Sequence, residues 1–130
     1  MSNNYCYFCD RVKTASKLVY EDSLCFVLED NFPLSDGHTL IVPKEHIANI
    51  FEVDEITYQH LFNQVKIISN KLKDEYSNIL GFNIGVNQGS VAGQTVMHVH
   101  IHLIPRRLGD VEDPRGGVRW IFPGKAKYWD

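Results

Sequence analysis

The sequence has no apolar run approaching the roughly 20 residues needed to cross a bilayer. Its opening, Met1-Ser2-Asn3-Asn4-Tyr5-Cys6, carries neither a basic region nor an apolar stretch of the kind that directs secretion. The expectation is a cytoplasmic protein that makes no use of a membrane. Excess positive charge is also missing: 13 Lys and Arg against 16 Asp and Glu leave a formal charge of −3. That balance lacks the basic face with which proteins grip nucleic acid polymers, so any phosphate site must be local. Three cysteines in 130 residues are too few for a disulfide framework, and where thiols stay reduced Cys6-x-x-Cys9 reads as metal or redox chemistry. Internal repeats and low-complexity segments are absent. What is present is 44% hydrophobic residues, enough to bury the core of one domain spanning residues 1–130.

Leu18-Val19-Tyr20 and Leu24 to Leu28 are β-rich runs around the short polar loop Glu21-Asp22-Ser23, a hairpin pattern. Cys25 lies in the second run and reads as a small buried hydrophobe. Pro33, Asp36 and Gly37 mark a loop that leads into a third strand, His38 to Val42, stopped by Pro43. Leu61, Val65, Ile68 and Leu72 recur at helical spacing, which predicts one long helix from an Asp54 N-cap to about Tyr76, with His60 off the apolar stripe and solvated. Phe82, Ile84 and Val86 alternate as a strand, and a last strand is expected from Val96 to Ile104, ending at Pro105. Strands in runs around a single long helix suggest an α+β fold with a mainly antiparallel sheet. Residues 106–130 read as an irregular tail packed by Trp120, Ile121 and Trp129.

The most informative stretch is Met97-His98-Val99-His100-Ile101-His102-Leu103-Ile104. Period two puts three imidazoles on one face of a strand and Val99, Ile101 and Leu103 on the other. An imidazole titrating near ~6.5 is a competent nucleophile at neutral pH and a good leaving group, so it can carry a phosphoryl or nucleotidyl group transiently. A neighbouring histidine can donate a proton or clamp phosphate. A metal-binding face, or a stack of hydrogen-bonded surface histidines, is the alternative. Upstream, Asn87-Gln88-Gly89-Ser90-Val91-Ala92-Gly93-Gln94-Thr95 offers glycines for close backbone approach, and amides and hydroxyls for phosphate oxygens. Downstream, Arg106-Arg107 adds two cations that could attract a polyphosphate or remain solvated.

The stretch from Gly93 to Ile104 resembles the signature of the histidine triad (HIT) family, His-φ-His-φ-His-φ-φ with φ apolar. Asp30-Asn31-Phe32-Pro33, continued by Gly37 through Lys44, resembles the family's second landmark. The resemblance implies about five antiparallel strands with one long helix and a short one, in a protomer that pairs as a homodimer by joining two sheets. It implies a nucleotide hydrolase in which His100 attacks the α-phosphorus to give a nucleotidyl-histidine that water resolves, with no catalytic metal. It further implies that His102 contacts phosphate or the leaving group and that Asp30 holds the ribose hydroxyls. Asn87, Gly93, Gln94 and Thr95 would contact the phosphate, and His38 would support the site structurally. The leading substrate class is a dinucleoside polyphosphate, on the pattern of the bacterial diadenosine polyphosphate hydrolase or Fhit-like type. A nucleoside phosphoramidate, as in enzymes of the Hint type, or a nucleotide held by a non-catalytic binding module are the alternatives.

Cys6-x-x-Cys9 supplies half of a tetrahedral zinc site within the segment 1–16, and His46 and His98 are available for the other half. Family members with an N-terminal Cys-x-x-Cys are similar here and use a histidine after the Pro-Lys turn and the first triad histidine. Pro43-Lys44-Glu45-His46 fits that pattern, so the expected structural zinc ligands are Cys6, Cys9, His46 and His98. The tail motif Asp113 to Trp120 is similar to a C-terminal segment of bacterial members and has no role that the sequence explains.

Overall fold

The computed structural model describes residues 6–14 and 17–130. The expectations that rest on Met1 to Tyr5 and on residues 15–16 lie outside the described residues. Five antiparallel strands, β1 (Leu18–Glu21), β2 (Cys25–Glu29), β3 (Thr39–Pro43), β4 (Gly81–Gly85) and β5 (Ile101–Arg106), form one sheet in the order β1-β2-β3-β5-β4. The helices are α1 (Tyr7–Thr14), α2 (Glu55–Glu75) and the short α3 (Pro123–Ala126), so the α+β antiparallel fold holds, with one long helix.

The β1–β2 hairpin forms because Asp22 occupies its turn: Oδ1 accepts the N–H groups of Leu24 and Cys25 at 2.8 and 2.9 Å. The Asp54 side chain caps α2 by accepting from Thr57 N at 3.2 Å, as its place before the apolar stripe predicts. Leu61, Val65, Ile68 and Leu72 then bury against Cys25, Val27, Ile41, Val99, Ile101 and Leu103 on one face of the sheet. On the other face Phe8 of α1 packs with Phe26, Leu28, Leu40 and Val42. The sheet is therefore covered on both sides at β2 and β3.

Three expectations need correction. The last strand does not run from Val96 to Ile104: residues 96–100 are irregular and β5 extends to Arg106, through Pro105. Pro105 is tolerated because it lies beyond the end of β3 pairing at Leu103 and has only β4, at Phe82, beside it. The tail is not wholly irregular, since a 3-10 turn over Gly117–Ile121 precedes α3. Nor does Ile121 pack it, being 78% exposed. Arg115 lies over the Trp129 ring at 4.5 Å and Arg119 over Tyr128 at 4.9 Å, so cation–π stacking holds much of that segment.

Candidate active site and metal cluster

Of the three triad histidines only His102 lies in β5, yet the alternation survives. Val99, Ile101 and Leu103 are buried beneath α2, and the imidazoles take the opposite side, where Phe8 meets the rings of His98 and His100. A bond from Val99 N to Ile47 O at 2.7 Å fixes the irregular segment to the turn after β3.

The hydrogen bonds assign the ring protons. His100 Nδ1 lies 2.9 Å from the His98 carbonyl, which can only accept, so Nδ1 carries the proton and Nε2 keeps its lone pair. Burial lowers the His100 pKa, against the opposing pulls of the His98 carbonyl and the Asp30 carboxylate. His38 Nδ1 accepts from Leu34 N at 3.1 Å, which leaves Nε2–H to donate to His102 Nδ1 at 3.0 Å. His102 must then carry its own proton on Nε2. Burial, and next the neighbouring His100 and His38, push His102 down to about 4. One imidazole thus offers a lone pair and its neighbour, with ring centroids 5.1 Å apart, offers an N–H donor without being charged.

Asp30, just past β2, accepts from Phe32 N at 2.8 Å and lies 3.5 Å from His38 Nε2. In the loop before the triad, Gly93 has φ +100 and stands beside Asn87, a conformation that favours glycine. Asn87, Gly93 and Thr95 are exposed. Gln94 is buried, and its amide ties the loop to the turn after β3: Oε1 accepts from Gly89 N at 2.9 Å, and Nε2 donates to the carbonyls of Ala48 and Val96 at 2.9 and 3.2 Å.

Cys6, Cys9, His46 and His98 converge from the α1 end, the turn after β3 and the triad segment. Sγ of Cys6 is 3.4 Å from His98 Nδ1. Sγ of Cys9 is 3.5 and 3.6 Å from Nδ1 of His46 and His98, and the two nitrogens are 3.2 Å apart. A tetrahedral zinc with S and N bonds of about 2.3 and 2.0 Å has edges of roughly 3.5 Å for S···N and 3.3 Å for N···N. These donors therefore fit one zinc ion in type and spacing. His98 Nε2–H donates to the Pro43 carbonyl at 2.7 Å, which turns Nδ1 toward the cluster.

Other expectations change. Arg106 is not free for phosphate, and Arg107 is partly engaged. Arg106 binds Asp110 through Nε and Nη2 at 2.8 and 2.9 Å and Asn83 through Nη1, while Arg107 binds Asn78 and lies over the Tyr76 ring. His60 is not a solvated histidine, since its Nε2 meets Asp22 Oδ2 at 2.5 Å. Cys25, by contrast, is fully buried as expected, and burial pushes its thiol up to about 12. Phe8 was missed in the sequence, where its only signal is a large apolar residue between the two cysteines.

A small α+β domain with a histidine row and a four-donor Cys/His cluster defines the class of protein. The HIT domain family model matches residues 11–109, and the chain belongs to that family. It is 38% identical over 109 residues to the Arabidopsis thaliana protein Adenylylsulfatase HINT3, covering 82% of this chain and 55% of that protein. The chain thus spans about half the length of that relative. It is also similar to a crystal structure of a HIT family protein from Bacillus anthracis, at 38% identity and TM-score 0.77, covering 84% of this chain and 78% of the other. A Zn-bound histidine triad family protein from Mycobacterium smegmatis superposes with TM-score 0.75 at 33% identity, covering 81% and 77%.

Proposed function

We propose that the protein is a nucleotide hydrolase that cleaves at the α-phosphate through a covalent nucleotidyl-His100 intermediate. The observation that carries this reading is the hydrogen bonding of two neighbouring rings, His100 Nδ1 to the His98 carbonyl and His102 Nδ1 to His38 Nε2, which leaves a lone pair at His100 Nε2 and an N–H at His102 Nε2. In the first step His100 Nε2 bonds to the α-phosphorus as the bond to the leaving group breaks. A leaving phosphate departs with the electron pair as an anion, whereas a leaving amine takes a proton from water. In the second, a water oxygen attacks phosphorus and loses its proton to solvent, and the P–N bond breaks to restore His100. The His102 N–H meets charge building on a phosphate oxygen. Asp30 holds the ribose, Asn87, Gly93 and Thr95 contact phosphate, and Gln94 and His38 position the loop and His102. No catalytic metal is required.

Cys6, Cys9, His46 and His98 would hold a structural zinc, supported by the donor spacing and by the Zn-bound mycobacterial relative. The site suits the cytoplasm, where thiols stay reduced, and no described helix is long and apolar enough to cross a membrane. The outer edge of β4, with Ile84 47% exposed, supports a homodimer in which two sheets join. A monomer by light scattering at micromolar concentration would count against that pairing.

Dinucleoside polyphosphates remain a substrate class, but the engagement of Arg106 and Arg107 with Asp110, Asn83 and Asn78 weakens one support for a long phosphate chain. That observation favours a second reading within the same first step, a nucleoside phosphoramidate, and the adenylylsulfatase relative likewise carries an adenylyl group with another leaving group in its name. Wild type and His100→Ala are to be incubated with diadenosine polyphosphates and with adenosine 5′-phosphoramidate. Cleavage of one class by wild type and a loss of at least about 100-fold in the variant is expected. A variant that stays active sinks the nucleophile, and inert proteins that bind AMP favour a binding module.

A further inference from the structure

The tail motif 113–120 lies against the open end of the histidine face. Register places Asn83 of β4 beside Ile104 of β5 and Gly85 beside His102, so the row His102, Ile104, Arg106 runs along one face of β5 toward the tail. Gly117 has φ +50, and a Cβ there would come within 3.3 Å of Asn83 Nδ2, so the glycine permits the tail backbone to approach the sheet. Trp120 is anchored by donation from Nε1 to Arg115 O at 2.8 Å, yet remains 45% exposed. Between tail and sheet lies a cavity of about 810 Å³ walled by Leu34, Ile104, Val111, Val118, Trp120 and Ile121. That volume suits a drug-sized organic group and far exceeds water or ammonia.

Its charges are cancelled internally. The Arg106 guanidinium is neutralised by Asp110, and Asp113 at the rim by Arg115. An apolar, charge-neutral groove with an indole wall favours an uncharged aromatic group and disfavours bare polyphosphate. Leu34 joins it to the histidines, since its N–H binds His38 while its side chain lines the groove. Asp30 follows β2, whereas the groove lies over β4 and β5, so the two flank His102 from opposite sides of the sheet order.

We infer that this groove is a subsite for an uncharged aromatic group on the leaving side of the substrate, with Trp120 as its stacking wall. The inference rests on the proposed cleavage at the α-phosphate. Its test compares adenosine 5′-phosphoramidate with the same compound carrying a naphthylethyl arm on nitrogen, in wild type, Trp120→Ala, Trp120→Phe and Ile121→Glu. The ratio of kcat/KM for the armed over the bare substrate should fall at least about tenfold in Trp120→Ala and in Ile121→Glu, mainly through KM, and recover in Trp120→Phe. An unchanged ratio, or both substrates falling in step, overturns the subsite. If wild type cleaves neither compound, the phosphoramidate reading has failed, whereas the hydrolase reading fails only if diadenosine polyphosphates also survive; in either case the groove is read by binding alone. Neutral naphthylethanol should then shift the Trp120 indole N–H resonance saturably. A resonance that ignores the alcohol overturns the subsite, and one that moves with protein concentration instead identifies a second copy as the occupant.

Discussion

At His102 the proton inventory and the burial act in the same direction. His38 donates to Nδ1, so a second proton finds no free lone pair on the ring unless that bond is broken. Burial and two neighbouring imidazoles push the group down to about 4. Its folded value therefore lies below the unfolded value of about 6.5. The neutral form's contribution to stability is complete above pH ~6.5 and is lost as pH falls toward 4, because the unfolded chain takes up a proton that the folded chain refuses. Nitrogen-15 NMR of the His102 ring should show a neutral imidazole protonated at Nε2 down to about pH 5; a midpoint near 6.5, or the Nδ1 tautomer, would refute the assignment. His38→Phe removes the donor and should release His102 to exchange tautomers, lowering kcat more than it raises KM. An equal effect on both would mean that His38 acts on substrate binding instead.

At the level of elements, the β1–β2 hairpin is tied to α2 by one carboxylate. Burial alone would raise the Asp22 pKa, but hydrogen bonds from the Tyr20 hydroxyl, the N–H groups of Leu24 and Cys25, and His60 outweigh it and hold the group well below the ordinary carboxylate range. A depressed acid contributes stability that is present above the unfolded value of about 3.9 and is lost as pH falls below it. Asp22→Asn should therefore be less stable than wild type at pH 7, with the difference in Tm shrinking as pH drops from about 4 to 2. A difference that is constant with pH would exclude the carboxylate as its source. Nothing local in the sequence announces this tie, because His60 and Asp22 are 38 positions apart and helix periodicity reports only that His60 is off the apolar stripe. By contrast, α2 and its Asp54 cap were legible, since spacing and capping are local chemistry. The histidine face was legible too, because alternation of Val99, Ile101 and Leu103 with the imidazoles reports which side is buried. The strand boundaries were not: β5 begins at Ile101, opposite Ile41, although β3 runs on to Pro43, because His98 and Val99 bond instead to the Pro43 and Ile47 carbonyls, and such distant partners are not written in the strand's own residues. The relay from His38 to His102 across 64 positions and the bond from Arg106 to Asn83 across 23 were hidden because those partners are distant in sequence.

Across the whole molecule the Cys/His cluster joins α1, the turn after β3 and the triad segment. Cys6 and Cys9 bracket Phe8, which is 2% exposed and packs on His100 with ring centroids 4.8 Å apart. His98 supplies a nitrogen to the cluster and, through its carbonyl, fixes the proton of His100. A zinc held there would pin α1 over the histidine row and couple metal loading to the geometry of the site. Binding to the folded chain alone adds its free energy to folding, so stripping zinc should lower Tm by on the order of 10 °C in a domain of this size. Purified protein should contain one zinc per chain, and Cys9→Ser should lose it and reproduce the Tm of chelated wild type while further chelation leaves the variant unchanged. Far less than one zinc per chain after expression with zinc supplied, or a Tm indifferent to chelator, would leave the four side chains as a reduced dithiol beside two histidines, and α1 would then owe its place to the packing of Phe8 and Tyr7 and to the bond from Asn31 to the Tyr7 hydroxyl.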